Sequence, residues 1–177
     1  MATWYERATD EVNETVADVM EHHHPGLHDA EVKVDVLLAH AGRDENGDPV
    51  GPAVKCGGYQ CAATIRITSP KERALGRGDA LMVLDGDRFE EWSAEELAAV
   101  VDHELSHLEF TEKRDDLDRP KLRMVRHDHQ FGWFDAVAKR HGDAAFEVKQ
   151  AKQLLADRNM VQLYLPGFEL EEAAVAV

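Results

Sequence analysis

The run Ser93-Ala94-Glu95-Glu96 is the most constraining stretch of the chain. Serine followed three residues later by glutamate is a capping box: each side chain satisfies a backbone N–H at the start of a helix. Beyond it, Leu97, Val100, Val101, Leu105 and Leu108 recur at three- and four-residue steps. That spacing predicts an amphipathic helix from Ser93 to about Thr111, with one apolar stripe turned to a core.

The same helix carries His103-Glu104-Leu105-Ser106-His107, an H-E-x-x-H pentapeptide. At about 100° per residue the two histidines fall one turn apart on one face. Their imidazoles can converge on one Zn²⁺ at the Zn–N distance of about 2.0–2.1 Å. Glu104 stands to one side, where a carboxylate can take a proton from water without displacing a ligand. H-E-x-x-H also arises by chance on polar helix faces. Here the cap, the apolar stripe and a preceding strand supply the context that favours a metal site.

A catalytic zinc takes three protein ligands and keeps a fourth position open. Downstream candidates for the third are His127, Asp128, His129, His141 and the acidic cluster Asp115, Asp116 and Asp118. His127 is preferred, because it stands at the start of a predicted helix whose Phe131, Phe134, Val137 and Ala138 form an apolar face. Asp128 could cap that helix or orient a ligand imidazole, and His129 reads as exposed. Which of the three is the ligand stays open. His141 precedes Gly142 in a last helical turn, where histidine suits the helix dipole. His22, His23, His24 and His28 gather at a helix end and read as solvated.

The remaining pattern is that of an α+β chain, a short β-sheet packed on the H-E-x-x-H helix with additional helices. Residues 3–24 read as a helix through Val12, Val16, Val19 and Met20, ended by Pro25-Gly26. Strands are predicted at Glu31–Leu38, at Ala62–Thr68 before Ser69-Pro70, and at Leu81–Leu84 before Asp85-Gly86-Asp87. Residues 41–59 form a long loop rich in Gly, Pro, Asp and Asn. An acidic loop at Asp115–Asp118 leads to an extended Lys121–Arg126, then to helices at 128–141 and 144–158. Pro166-Gly167 marks a turn. No repeat or linker divides the chain, so one domain is expected over 1–177.

Composition narrows the function classes. The 177 residues carry a formal net charge of -15, which repels phosphate backbones and argues against nucleic-acid binding. No run approaches the roughly 18 apolar residues of a membrane span. The first residues show no basic n-region before an apolar stretch, so a cytoplasmic protein is expected. Cys56 and Cys61 cannot build a disulfide framework, and lack partners for a zinc knuckle; they read as a redox pair or as plain loop cysteines. Tyr59 and Arg126 are candidates for stabilising an oxyanion. Ile65–Ile67 and Leu81–Leu84 are alternative edge strands for an extended substrate. Oligomeric state is not legible.

With these residues assembled, the chain resembles the putative phage metallopeptidase family, related in pattern to the SprT-like zinc metalloproteases. Those carry H-E-x-x-H and, further on, a histidine that opens a helix with an aromatic one turn later; His127 and Phe131 match. The resemblance spans roughly residues 30–142, leaving 143–177 as a helical extension. It implies a zincin-like domain and an H-E-x-x-H hydrolase with Zn²⁺ on His103, His107 and His127. Glu104 would be its general base, a protein or peptide its substrate, and host cytoplasm its location. An alternative is a non-catalytic, zinc-stabilised interaction protein of phage origin acting on a host factor. Glu104 beside only three good ligands favours catalysis, since a structural site fills its fourth position. A metal-free, DNA-associated helical protein is disfavoured by the acidic charge.

Overall fold

The computed structural model describes residues 2–89, 91–127 and 134–157, the last four through their backbone alone. It is a mixed α+β structure. Its main sheet has the order β1-β2-β6-β5, formed by Trp4–Arg7, Val34–His40, Ala80–Asp85 and Ala63–Ile67. The central pair β2 and β6 runs parallel, with β1 and β5 antiparallel at the edges. One face of this sheet is apolar, through Val36, Leu38, Ala63, Ile65, Ala80, Met82 and Leu84. Against it pack α1 (Asp10–His23), through Val12, Val16, Val19 and Met20, and α5 (Ala94–Ser106), through Leu97, Val100, Val101 and Leu105.

The capping box at Ser93 forms in full. Ser93 Oγ accepts from the Glu96 N–H at 3.2 Å, and Glu96 Oε2 accepts from the Ser93 N–H at 2.8 Å. A second box at Ser69 and Glu72 opens the short α3 (Pro70–Ala74), so Ser69-Pro70 both stops β5 and starts a helix.

Several expectations are corrected. The predicted helix over 3–24 is a strand followed by a helix. Trp4–Arg7 pairs with Leu37–His40, and Thr9 accepts from the Val12 N–H as the cap of α1. Pro25 occupies the first turn of a further short helix, α2 (Pro25–Asp29), where its missing N–H costs nothing. The loop at 41–59 contains a bridge between Arg43 and Pro49, and its end enters a hairpin of β3 (Lys55–Cys56) and β4 (Tyr59–Gln60). Asp85-Gly86-Asp87 enters α4 (Gly86–Phe89). A Cβ on Gly86 would lie 2.5 Å from the His40 ring, which explains glycine there.

The helix with the histidines ends at Ser106, not near Thr111. Leu108–Arg114 is β7, paired with β8 (Pro120–Met124) across the acidic turn. Asp115 Oδ1 closes that turn by accepting from the N–H groups of Leu117 and Arg119. Among the described residues, the helix expected over 128–141 is α6, Asp135–His141, with Phe134 as its cap residue. His127 therefore does not lie in its first turn. The rest of that expected helix, with Asp128, His129 and Phe131, and the turn at Pro166-Gly167, lie outside the described residues. A single 3₁₀ turn then leads to α7 (Phe146–Asp157).

Among the described residues Met82 is the largest fully buried side chain, 0% exposed at the centre of the sheet. Met82→Ala is expected to destabilise the protein by about 2–5 kcal/mol. Urea denaturation measures this, with an unchanged slope of unfolding free energy on urea concentration.

Candidate metal centre

His103 and His107 project from the last turn of α5 and its C-cap, and His127 reaches the same place from the segment after β8. One donor nitrogen from each lies within 4.8 Å of the others. The Nε2 atoms of His103 and His127 are 3.2 Å apart.

The α5 rings are held from behind. The Nδ1–H of His103 donates to Glu147 Oε1 at 2.6 Å. That of His107 donates to the Val125 carbonyl at 2.8 Å, while the Val125 N–H donates to the His107 carbonyl at 2.7 Å. Both bonds commit Nδ1 as donor and leave the Nε2 lone pair turned to the cluster. Two facing lone pairs at 3.2 Å repel unless a proton or cation stands between them. Donors on a tetrahedron with Zn–N bonds of about 2.0–2.1 Å are separated by about 3.3–3.4 Å. The residues therefore fit a single transition-metal ion. The pairing of His107 with Val125 also places His127, two residues further on. His127 is thus positioned by the β7–β8 hairpin, in place of the helix start expected for it.

Phe134 is the shared apolar neighbour. Its ring centroid lies 5.1, 4.9 and 5.1 Å from those of His103, His107 and His127. Such a neighbour lowers the local polarity and limits water at the cluster.

The charges follow from burial and these partners. Glu104 is 6% exposed. Burial, with Glu147 nearby, pushes its carboxyl up to about 7 against the pull of His103 and the Ile65 N–H. For His103 burial opposes the charge, but Glu147, Glu104 and Asp102 outweigh it and the pKa is raised. Burial and the charge of His103 lower that of His107, against its bond to Val125.

Set beside known proteins, the sequence matches the model of the family described as putative phage metallopeptidase over residues 3–158. The chain belongs to that family. No curated protein and no solved structure matches it. The family match runs past the 30–142 core at both ends and takes in α7. Membership in a metallopeptidase family implies a bound metal and a protein substrate. Among the described residues no helix is long and apolar enough to cross a membrane.

A second cluster of this metallopeptidase lies directly behind His103. Asp102 is 0% exposed. Its carboxylate accepts from His24 Nε2 at 2.8 Å, from His141 Nε2 at 2.8 Å, and from Arg140 Nε and Nη2 at 2.8 and 2.6 Å. Burial works against this charge, yet His24, Arg140 and His141 together hold the carboxyl far below its ordinary range. His23, Asp102 and His141 could in principle surround an ion. The four bonds already fill the acceptor positions of the carboxylate, and the guanidinium repels a cation, so the cluster is a structural tie. His24 and His141 are thus partners of Asp102 rather than solvated or dipole-compensating groups.

Cys61 has its thiol pushed up to about 12 by burial, with Cys56, Glu104 and Asp85 adding. A thiol so far from ionisation is a poor nucleophile and a poor metal ligand. Tyr59 is 81% exposed on the β3–β4 hairpin, and Arg126 is exposed beside His127. Sequence reasoning missed Glu147, the Val125 carbonyl, Phe134 as a neighbour of the histidines, and the Asp102 cluster. Glu147 reads in sequence as one more acidic residue in a first helical turn, and only tertiary packing singles it out.

Asp102→Asn keeps the shape but strands Arg140, and is expected to cost about 3–5 kcal/mol in urea denaturation. The folded carboxyl lies below the unfolded one, so the wild-type advantage is complete above about pH 4. It is lost only as the pH falls further, through the depressed value, which denaturation at a series of acid pH values measures.

Proposed function

We propose that this metallopeptidase is a zinc enzyme of the H-E-x-x-H type, hydrolysing peptide bonds with Glu104 as general base. His103, His107 and His127 are its metal ligands, through their Nε2 atoms. The observation that carries this reading is the convergence of three imidazole donors beside a buried carboxylate, with Nε2 of His103 and His127 at 3.2 Å. An all-imidazole donor set suits Zn²⁺. When bound, Zn²⁺ supplies a Lewis acid for a carbonyl oxygen and lowers the pKa of water towards neutrality.

The chain's own groups do the rest. Glu104 accepts the proton of the attacking water and passes it to the departing amine. A carboxyl pushed up to about 7 by burial is a stronger base than an ordinary carboxylate, which suits it to take the proton in the first step. A cation held by the three nitrogens would favour its ionised form at the start. Phe134 limits competing water.

The substrate lies along β5. Between the two candidate edges, the sheet order puts β6 in the interior and leaves β5 at the edge. The Ile65 N–H of β5 already acts on the Glu104 carboxylate. An extended peptide added to this edge would bring its backbone to the general base.

Zinc analysis of the untagged protein tests the reading, beside a peptide-library cleavage assay. The expected result is one zinc per chain, lost in His127→Ala. Glu104→Gln is expected to retain zinc and to lose about 10²–10⁴-fold in kcat. A folded wild-type protein that takes up no Zn²⁺ would overturn the reading, as would full activity in Glu104→Gln.

A further inference from the structure

Glu147 belongs neither to the H-E-x-x-H motif nor to the ligand set, yet it is 5% exposed and touches the site through His103. It comes from the first turn of α7. That helix is seated by contacts that do not involve the carboxylate. Phe146 packs edge-on against Trp92 with centroids 5.6 Å apart, and Arg88 and Lys149 lie 5.8 and 5.4 Å from its ring centroid. Lys149 also pairs with Glu96 of α5. The carboxylate is therefore delivered to His103 by an independently docked element.

A carboxylate on the Nδ1–H of an imidazole does three things. It fixes the tautomer, fixes the ring orientation, and raises the basicity of Nε2. A cation on Nε2 in turn makes the Nδ1–H a stronger donor, so the bond to Glu147 tightens. Any such coupling is reciprocal: what the metal adds to the seating of α7, the seating adds to metal affinity.

We propose that Glu147 is a positioning residue of the metal centre, orienting His103 from the C-terminal helix and coupling the seating of α7 to metal occupancy. This rests on the three-histidine zinc reading above. The test is Zn²⁺ affinity by chelator competition, with the visible spectrum of the Co²⁺-loaded protein, for wild type, Glu147→Gln and Lys149→Met. Glu147→Gln is expected to weaken Zn²⁺ binding about 10–100-fold and to shift the Co²⁺ bands. Lys149→Met loosens one α7 contact but keeps the carboxylate, and is expected to weaken Zn²⁺ binding by far less than Glu147→Gln and to leave the Co²⁺ bands in place.

Wild-type affinity and an unchanged spectrum in Glu147→Gln would overturn the proposal. Equal weakening in Lys149→Met would reduce Glu147 to a structural role and overturn it too. A wild type that takes up no Zn²⁺ would instead bring down the zinc reading, and this role with it. Should Glu147→Gln not fold, amide exchange in wild type decides: α7 amides slowed by Zn²⁺ support the coupling, and equal exchange with and without Zn²⁺ overturns it.

Discussion

Both imidazoles of α5 are gripped by their Nδ1 atoms, one by the Glu147 carboxylate and one by the Val125 carbonyl. The arrangement of the molecule around α5 follows from this. A helix alone sets the two histidines one turn apart, but leaves each ring free to rotate and each proton free to choose its nitrogen. The β7–β8 hairpin and α7, both later in the chain than α5, remove that freedom. They place the Val125 carbonyl, just past β8, behind His107 and a helix carboxylate behind His103. Because the hairpin bond is made at Val125, His127 follows at the right distance to close the cluster.

The rigidity has an energetic cost, and the Asp102 cluster shows how it is met. A fully buried carboxylate is tolerated only when its charge is paired and its lone pairs are filled. Here His24, Arg140 and His141 do both. Replacing such an arrangement by apolar residues can leave a protein as stable or more so, so its consequence lies in placement rather than in net stability. It ties the α1–α2 junction and the end of α6 to the residue immediately before His103. The apolar stripe of α5 fixes that helix on the sheet, and the Asp102 tie fixes its other face.

What sequence reading could reach divides along the same line. The capped helix, its apolar stripe, β5 and β6 were legible because each is a local pattern of period 3.6 or 2 with its own stop signals. The candidate set of His103, Glu104 and His107 was legible because ligand chemistry calls for those residue types at that spacing. The third histidine was one of several open choices, and its convergence with the other two is made by the hairpin. The strand at Trp4–Arg7 was hidden because its four residues are exposed on an edge and carry no alternation of burial. The end of α5 was hidden because no glycine marks it. The chain leaves the helix at His107 to pair with Val125, a partner 18 residues away. Glu147, 44 residues from His103, is invisible for the same reason: its role is made by packing, and its local sequence signals only a helix start.

The central claim is that one metal ion is bound by three imidazoles and no sulfur, with a position left for solvent or substrate. X-ray absorption at the zinc edge of the loaded protein tests it most directly. The account predicts three imidazole nitrogens and one oxygen neighbour without imidazole scattering, all at about 2.0–2.2 Å. A sulfur shell at about 2.3 Å, or a fourth imidazole closing the coordination sphere, would contradict it.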